Sequence, residues 1–307
     1  MANNKIVFGN TTLIDLTNDT ATAETVALGK TFIDNSGALS TGTYEIGGAS
    51  VIGSKISIPG TTFAIPSWST GSAEDIAETI EMSYKGRFNL SDYWYIGDSR
   101  TVTLSAIPAQ SPLTETHPSQ TVTMTLLNVG GKELVNPIHS KTECLFIVGQ
   151  LNCLQEVGAW HHAYSATIGW DTCDRRTWCN NAYYNAIPES LRVIFKEHKN
   201  ITADRPNSHN IVISEDYFSF PAEKEIWGTN TQASSTAEAS LSQFKYYTNV
   251  SNRIKKIGDN GTACTYGLRS ILYTTYIGRF ETVRENGTQW SYIEPQQTTY
   301  LAPFGVI

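Results

Sequence analysis

Charge is scarce in this chain. Asp, Glu, Lys and Arg make up only 17% of 307 residues, and the net charge is -7. The densest basic cluster is Arg253-Ile254-Lys255-Lys256, which is too short to track a phosphate backbone, so nucleic acid is not an expected partner. Cysteine is sparse too. Five residues, at 144, 153, 173, 179 and 264, are an odd count over a long chain; they read as small buried hydrophobes rather than a disulfide framework. No segment approaches the roughly 20 apolar residues of a membrane span. The opening MANNKIVFGN lacks the apolar stretch of a signal peptide. The expectation is a soluble chain made in the cytoplasm, with no membrane partner. Phosphate-loop chemistry is missing as well, since neither Gly47-Gly48 nor Gly130-Gly131 is followed by Lys-Ser/Thr.

Neutral polar residues and aromatics fill the space that charge leaves. Thr, Ser and Asn are abundant beside 23 Gly, 15 Tyr and 7 Trp. β-branched and aromatic side chains pack well on pleated sheets. Tyr among Ser, Gly and Asn is also the composition of adaptable binding surfaces, where a rigid ring supplies area at low entropic cost.

Three zones follow along the chain. Residues 1–48 are rich in Thr, Asn, Ala and Gly, with no aromatic between Phe8 and Phe32. Brief alternating runs such as Thr12-Leu13-Ile14-Asp15-Leu16 predict short strands that cannot close a core alone, hence an attachment or oligomerisation segment. Residues 49–74 read as linker strands around Pro59 and Pro66, and residues 75–307 as a self-sufficient domain. Across the start of that domain Ala73 to Met82 predicts a short amphipathic helix, and 93–106 and 121–134 predict β structure with a hairpin turn at Gly130-Gly131. A helix is predicted over 174–187, a second from Pro188 with Leu191, Ile194 and Phe195 as its stripe, and a third over 238–256 carrying Leu241, Phe244, Tyr247 and Ile254. The run 216–228 reads as an extended segment and a turn.

Two resemblances emerge. The run LIDLTNDTATAETVALGKTFID followed by SGALSTGTY resembles a module of tail proteins from phages of Gram-positive bacteria. From about residue 75 onward, NLSDYWYIGDSRTVTLSA, CLFIVGQLNCLQEVGAWHHAYSATIGWDTCDRRTWCNNAYYNAIPESLRVIFKEHKNI, DYFSFPAEKEIWG, QFKYYTNVSNRIKKIG, GLRS and YLAPFGVI occur in order. Together they resemble a domain family of unknown function from phage and prophage tail genes with a C-type-lectin-like fold. The resemblance implies an α+β domain, with two helices on a small twisted antiparallel sheet and long loops at one end. It also implies receptor binding at a phage tail tip. In related proteins a diversity-generating retroelement rewrites a C-terminal stretch, which here would lie between GLRS (267–270) and LAPFG (301–305). The chain departs from the pattern around Arg269-Ser270. Relatives often carry two aromatics before that pair and a proline after it, where this chain has Tyr266-Gly267 and Ile271.

The residues of that stretch read independently as a display surface. Tyr273, Thr275, Tyr276, Arg279, Trp290 and Tyr292 are the candidate ligand-binding residues. Tyr273, Thr275, Tyr276, Arg279 and Tyr292 are expected to be exposed over a buried scaffold of Arg269, Phe280, Val283 and Phe304. Metal and catalytic residues are not expected. Cys173 and Cys179, spaced C-x5-C, match no common zinc knuckle, and the adjacent His161 and His162 should point apart on a strand. No dense carboxylate run suggests calcium. The broad lectin-like fold includes enzymes that oxidise cysteine to formylglycine with a thiol pair, but Cys173, Cys179 and Cys264 make no convincing pair. Asp92, Asp98, Glu223 and Glu225 read as hydrogen-bonded structural acids rather than a glycosidase pair. The leading expectation is therefore a non-enzymatic, cofactor-free receptor-binding protein of a virion, a homotrimer contacting other tail proteins and a bacterial surface receptor. The alternatives are a structural tail-tip or decoration subunit and, weakest, a tail-associated glycan hydrolase.

Overall fold

The computed structural model describes residues 65–307 with their side chains, except 166, 235, 260, 273–277 and 290–291; before residue 65 it describes six strands by backbone alone. Those strands form three antiparallel pairs: β1 (Lys5–Phe8) with β2 (Thr11–Asp15), β3 (Thr31–Ile33) with β4 (Leu39–Thr41), and β5 (Lys55–Ile58) with β6 (Thr61–Ala64). The chain divides into two compact units, Met1–Pro66 with Glu81–Tyr93, and Ser67–Ile80 with Trp94–Ile307.

Helix α1 (Ala73–Tyr84) begins in the larger unit, where the Ser72 hydroxyl accepts the Asp75 N–H at 3.1 Å and acidic Glu74 and Asp75 occupy the first turn. The strands that follow are β7 (Ser99–Leu104), β8 (Gln120–Val129), β9 (Glu133–Ile138), β10 (Lys141–Glu143), β11 (Phe146–Gln150) and β12 (Gly158–Ala159). Helical segments come next: α2 (Asp174–Trp178), a π-turn (Cys179–Tyr183), α3 (Tyr184–Ala186) and α4 (Glu189–Arg192). The remainder comprises β13 (His198–Ala203), β14 (Ile211–Asp216), β15 (Phe218–Ser219), α5 (Glu223–Trp227), β16 (Lys255–Lys256), β17 (Ala263–Cys264), β18 (Tyr266–Ile271), β19 (Phe280–Val283), β20 (Thr298–Thr299) and β21 (Phe304–Val306).

The architecture is α+β, with mostly antiparallel sheets and few helices. One sheet runs β15-β21-β11-β8-β7 and a second β10-β9-β13-β14. Strand β8 turns Val122 and Met124 inward while Thr121 and Thr123 stay half-exposed, the alternation of a half-buried strand. The C-terminal strand β21 is inserted between β11 and β15, with Ile147 opposite Val306 and Phe218 opposite Gly305. Glycine makes that insertion possible: a Cβ on Gly305 would lie 2.9 Å from Phe195 and Phe218, and one on Gly149 would lie 2.5 Å from Leu127.

Aromatic rings anchor the core. Trp68 packs 5.4 Å from Trp94 and donates its indole N–H to the Met124 carbonyl at 3.3 Å. Trp160 stacks on Phe280 at 4.6 Å and meets Phe220 edge-on at 4.8 Å. Gly267 leaves room for that indole, since a Cβ there would sit 2.4 Å from it.

Several sequence expectations are corrected. Gly130-Gly131 does turn the chain at positive φ, but β8 and β9 do not pair; they belong to different sheets. Residues 238–256 form no long helix; they hold 3-10 turns at Lys245–Thr248 and Val250–Arg253 and end in strand β16. The helix begun by Pro188 is a single turn, although Leu191, Ile194 and Phe195 are buried as its stripe requires. The turn expected within 216–228 is helix α5, ended by Gly228 in the left-handed region.

Candidate ligand-binding face

A buried network of ionised side chains surrounds β18. From β18, Arg269 grips Glu225 of α5 with two hydrogen bonds, at 2.6 and 3.0 Å, and donates to the Phe220 carbonyl at 2.6 Å. Lys132 joins the same carboxylate and donates to Asn200 Oδ1 at 3.0 Å. Burial alone would raise the Glu225 pKa, but Arg269 and Lys132 hold it down at about 2. A buried charge is tolerated when it is paired and hydrogen-bonded in this way. Asn200 carries the network to Asp216 at 3.0 Å, which also receives Trp170 Nε1 at 3.0 Å and Arg176 Nε at 2.7 Å.

Ser270, beside Arg269, organises a second cluster. Its hydroxyl accepts the Glu223 N–H at 2.7 Å and donates to Glu238 at 2.8 Å. Glu223 accepts the N–H groups of Thr231 at 2.6 Å and Ala233 at 2.7 Å, and the Gln289 amide at 2.7 Å. Burial pushes Glu238 up to about 7, and it pushes Glu281 well above the carboxylate range with help from Glu223 and Glu238. The sequence reading of Glu223 and Glu225 as hydrogen-bonded structural acids agrees with these contacts. The expected scaffold is buried as well, with Arg269, Phe280, Val283 and Phe304 at most 1% exposed.

An open groove of about 820 Å³ is lined by Thr265, Thr282, Tyr292, Ile293, Gln296, Gln297 and Thr298. Its lining residues carry hydroxyls, amides and one phenol but no carboxylate, thiol or imidazole. Thr282 is fully buried and its hydroxyl has no hydrogen-bond partner within the protein. The Arg279 guanidinium lies 3.8 Å from the centre of the Tyr292 ring and 3.5 Å from Glu294. Arg279 and Tyr292 are therefore brought together, but half-buried rather than exposed as expected, because each covers the other. Tyr273, Thr275, Tyr276 and Trp290 lie outside the described residues.

All five thiols are buried. Cys173 is pushed up to about 12 and Cys179 well above the thiol range. The sequence missed one pairing: Cys153 and Cys264 are neighbours whose interaction lowers the Cys264 pKa, while burial raises that of Cys153. Neighbouring backbones bring them together, Cys153 bridging Ile257 and Cys264 pairing with Lys255.

The adjacent histidines are a further correction. Residues 161–163 lie in bends beyond β12, so the alternation of a strand does not apply. The His161 and His162 rings sit 4.5 Å apart, and their Nδ1 atoms approach Asp174 Oδ2 at 2.6 and 2.7 Å.

A family model described as "Domain of unknown function (DUF6273)" matches residues 142–303, just over half of the chain. The chain belongs to this family. The DUF6273 region contains the groove, both buried clusters apart from Lys132, and the histidine pair. It starts after β8 and ends just before β21, so β7, β8 and β21 of the five-stranded sheet lie outside the match. No curated protein and no solved structure matches the chain.

Proposed function

We propose that this DUF6273 protein is a receptor-binding protein of a phage tail, and that the loops between β18 and β21 form its binding face on a C-type-lectin-like domain. The observation that carries the reading is a groove lined by hydroxyls, amides and a tyrosine ring, beside strands β18 and β19 whose Arg269, Phe280 and Val283 are fully buried. These groups meet a partner there while the buried strands carry the scaffold. Tyr273, Thr275, Tyr276, Arg279, Trp290 and Tyr292 are the proposed contacts. The partner is a bacterial surface protein or glycan. No acid pair or activated thiol lines the groove among the described residues, which favours binding over hydrolysis.

The segment 1–48 is proposed to attach the protein to other tail proteins and to hold a homotrimer on the virion. Light scattering of the full-length chain should give three times the monomer mass, and a strictly monomeric mass at micromolar concentration would refute the trimer. Diversification by a retroelement is part of the proposal too, and is read from neighbouring DNA: a reverse transcriptase gene beside a near-copy of the 3′ end is the expected arrangement. The binding role is tested by incubating purified chain with a panel of Gram-positive bacteria. Saturable attachment to some strains and not others is expected; attachment to none would favour a structural virion subunit.

A further inference from the structure

We infer that His161, His162 and Asp174 form a binding site for one divalent transition-metal ion of the zinc class. Their candidate ligand atoms, one from each residue, lie within 4.8 Å of one another. Two imidazole nitrogens and one carboxylate oxygen are the donor set of borderline-soft cations, not of calcium or magnesium, which take oxygen ligands.

Both imidazoles turn a ring nitrogen to one carboxylate oxygen. His161 Nδ1 stands 2.6 Å from Asp174 Oδ2, a contact that an Nδ1–H makes as a hydrogen bond and that a deprotonated ring makes through a bridging cation. His162 Nδ1 points to the same oxygen at 2.7 Å, and the His162 backbone N–H also donates to it at 2.9 Å. A metal would replace the direct contacts. Zinc–ligand bonds of about 2.0–2.2 Å set tetrahedral donors roughly 3.3–3.6 Å apart, so the carboxylate oxygen has to withdraw from the two nitrogens by about 0.6–1 Å.

The surrounding backbone is already built to hold this arrangement. Arg175 Nε donates to the Ala159 carbonyl at 2.9 Å, and the Arg175 N–H donates to Trp160 at 3.0 Å. The Pro295 carbonyl accepts from both Trp160 and His161 at 2.9 Å, and β12 pairs with β20. Three chain segments therefore converge on the triad before any ion arrives, which is the preorganisation that metal sites need. His161 and Asp174 are 15% exposed and His162 47%, so an ion can enter. The bound ion would fasten the 158–162 segment to the start of α2, beside the loop that carries Gln296 and Gln297.

The test is calorimetric titration of the full-length, tag-free chain with Zn2+ after dialysis against chelator. One Zn2+ per chain is expected, with affinity falling more than about tenfold in both His162→Ala and Asp174→Asn. Both variants should keep the native circular dichroism, His162 being half exposed and Asn preserving the shape of Asp174. Co2+ should give visible ligand-field absorption in the native chain that is lost in the same two variants. Absence of stoichiometric Zn2+ binding would overturn the inference. So would native affinity in both variants, because binding would then belong to other groups.

Discussion

At the scale of single residues, the structure rests on Arg269 and the carboxylates around it. Arg269→Leu would leave Glu225 and Lys132 in an incomplete buried cluster, a change that typically costs about 3–5 kcal/mol; urea unfolding should register the loss, and an unchanged midpoint would contradict the ion-pair account. Glu238 gives a pH signature. Its ordinary pKa is 4.5 and its folded value about 7, so between these values the fold holds a proton that the unfolded chain has released. Its contribution to stability is complete below pH 4.5 and is lost as pH rises through 7. Glu238→Gln removes this titration. The stability of the native chain relative to that variant should therefore decline from pH 4.5 to 7.5, and a flat difference would show that Glu238 titrates normally. Arg269-Ser270 was legible as a motif and Glu223 and Glu225 as structural acids. Lys132 was not, because its partner is 93 positions away and nothing near Gly130-Gly131 signals a buried amine.

At the scale of elements, local pattern succeeded where one periodicity acted alone. The stretch 174–186 is helical as its spacing predicts, with Trp178 and Tyr183 buried. The predicted helix over 238–256 failed for a physical reason: its polar side chains compete for backbone groups. Thr248 Oγ1 donates to Lys245 O at 2.7 Å, Asn249 Oδ1 accepts the Ser251 N–H at 3.1 Å, and Asn252 Nδ2 donates to Tyr246 O at 2.8 Å. Phe244 and Tyr247, three residues apart, are buried all the same, which suits a 3-10 turn as well as an α-helix. The strand β18 offers a packing test. Gly267→Val forces a side chain into the Trp160 indole, and overpacking of this kind costs about 1–3 kcal/mol. A clear drop in melting temperature is expected; no drop would mean that the Trp160 layer is loose.

At the scale of the whole molecule, fold class and core aromatics were legible because hydrophobic pattern and aromatic anchors report burial directly. The proposed binding face was legible only as composition. Its groove draws together Thr265, Thr282 and the residues from Tyr292 to Thr298, and a meeting of such separate positions leaves no local signal. The histidine pair shows the same limit, since its convergence on Asp174 depends on bends rather than on strand alternation. The central claim is that the C-terminal loops bind a bacterial surface while their scaffold carries stability. Attachment of the labelled full-length chain to a susceptible strain, measured by flow cytometry beside Tyr292→Ala and the double variant Tyr273→Ala/Tyr276→Ala, tests it most directly. Removing hot-spot aromatics worth about 2 kcal/mol or more should weaken attachment by roughly thirtyfold, while stability of the double variant stays within about 0.5 kcal/mol. Native-level attachment by both variants, or unfolding of the double variant, would contradict the account.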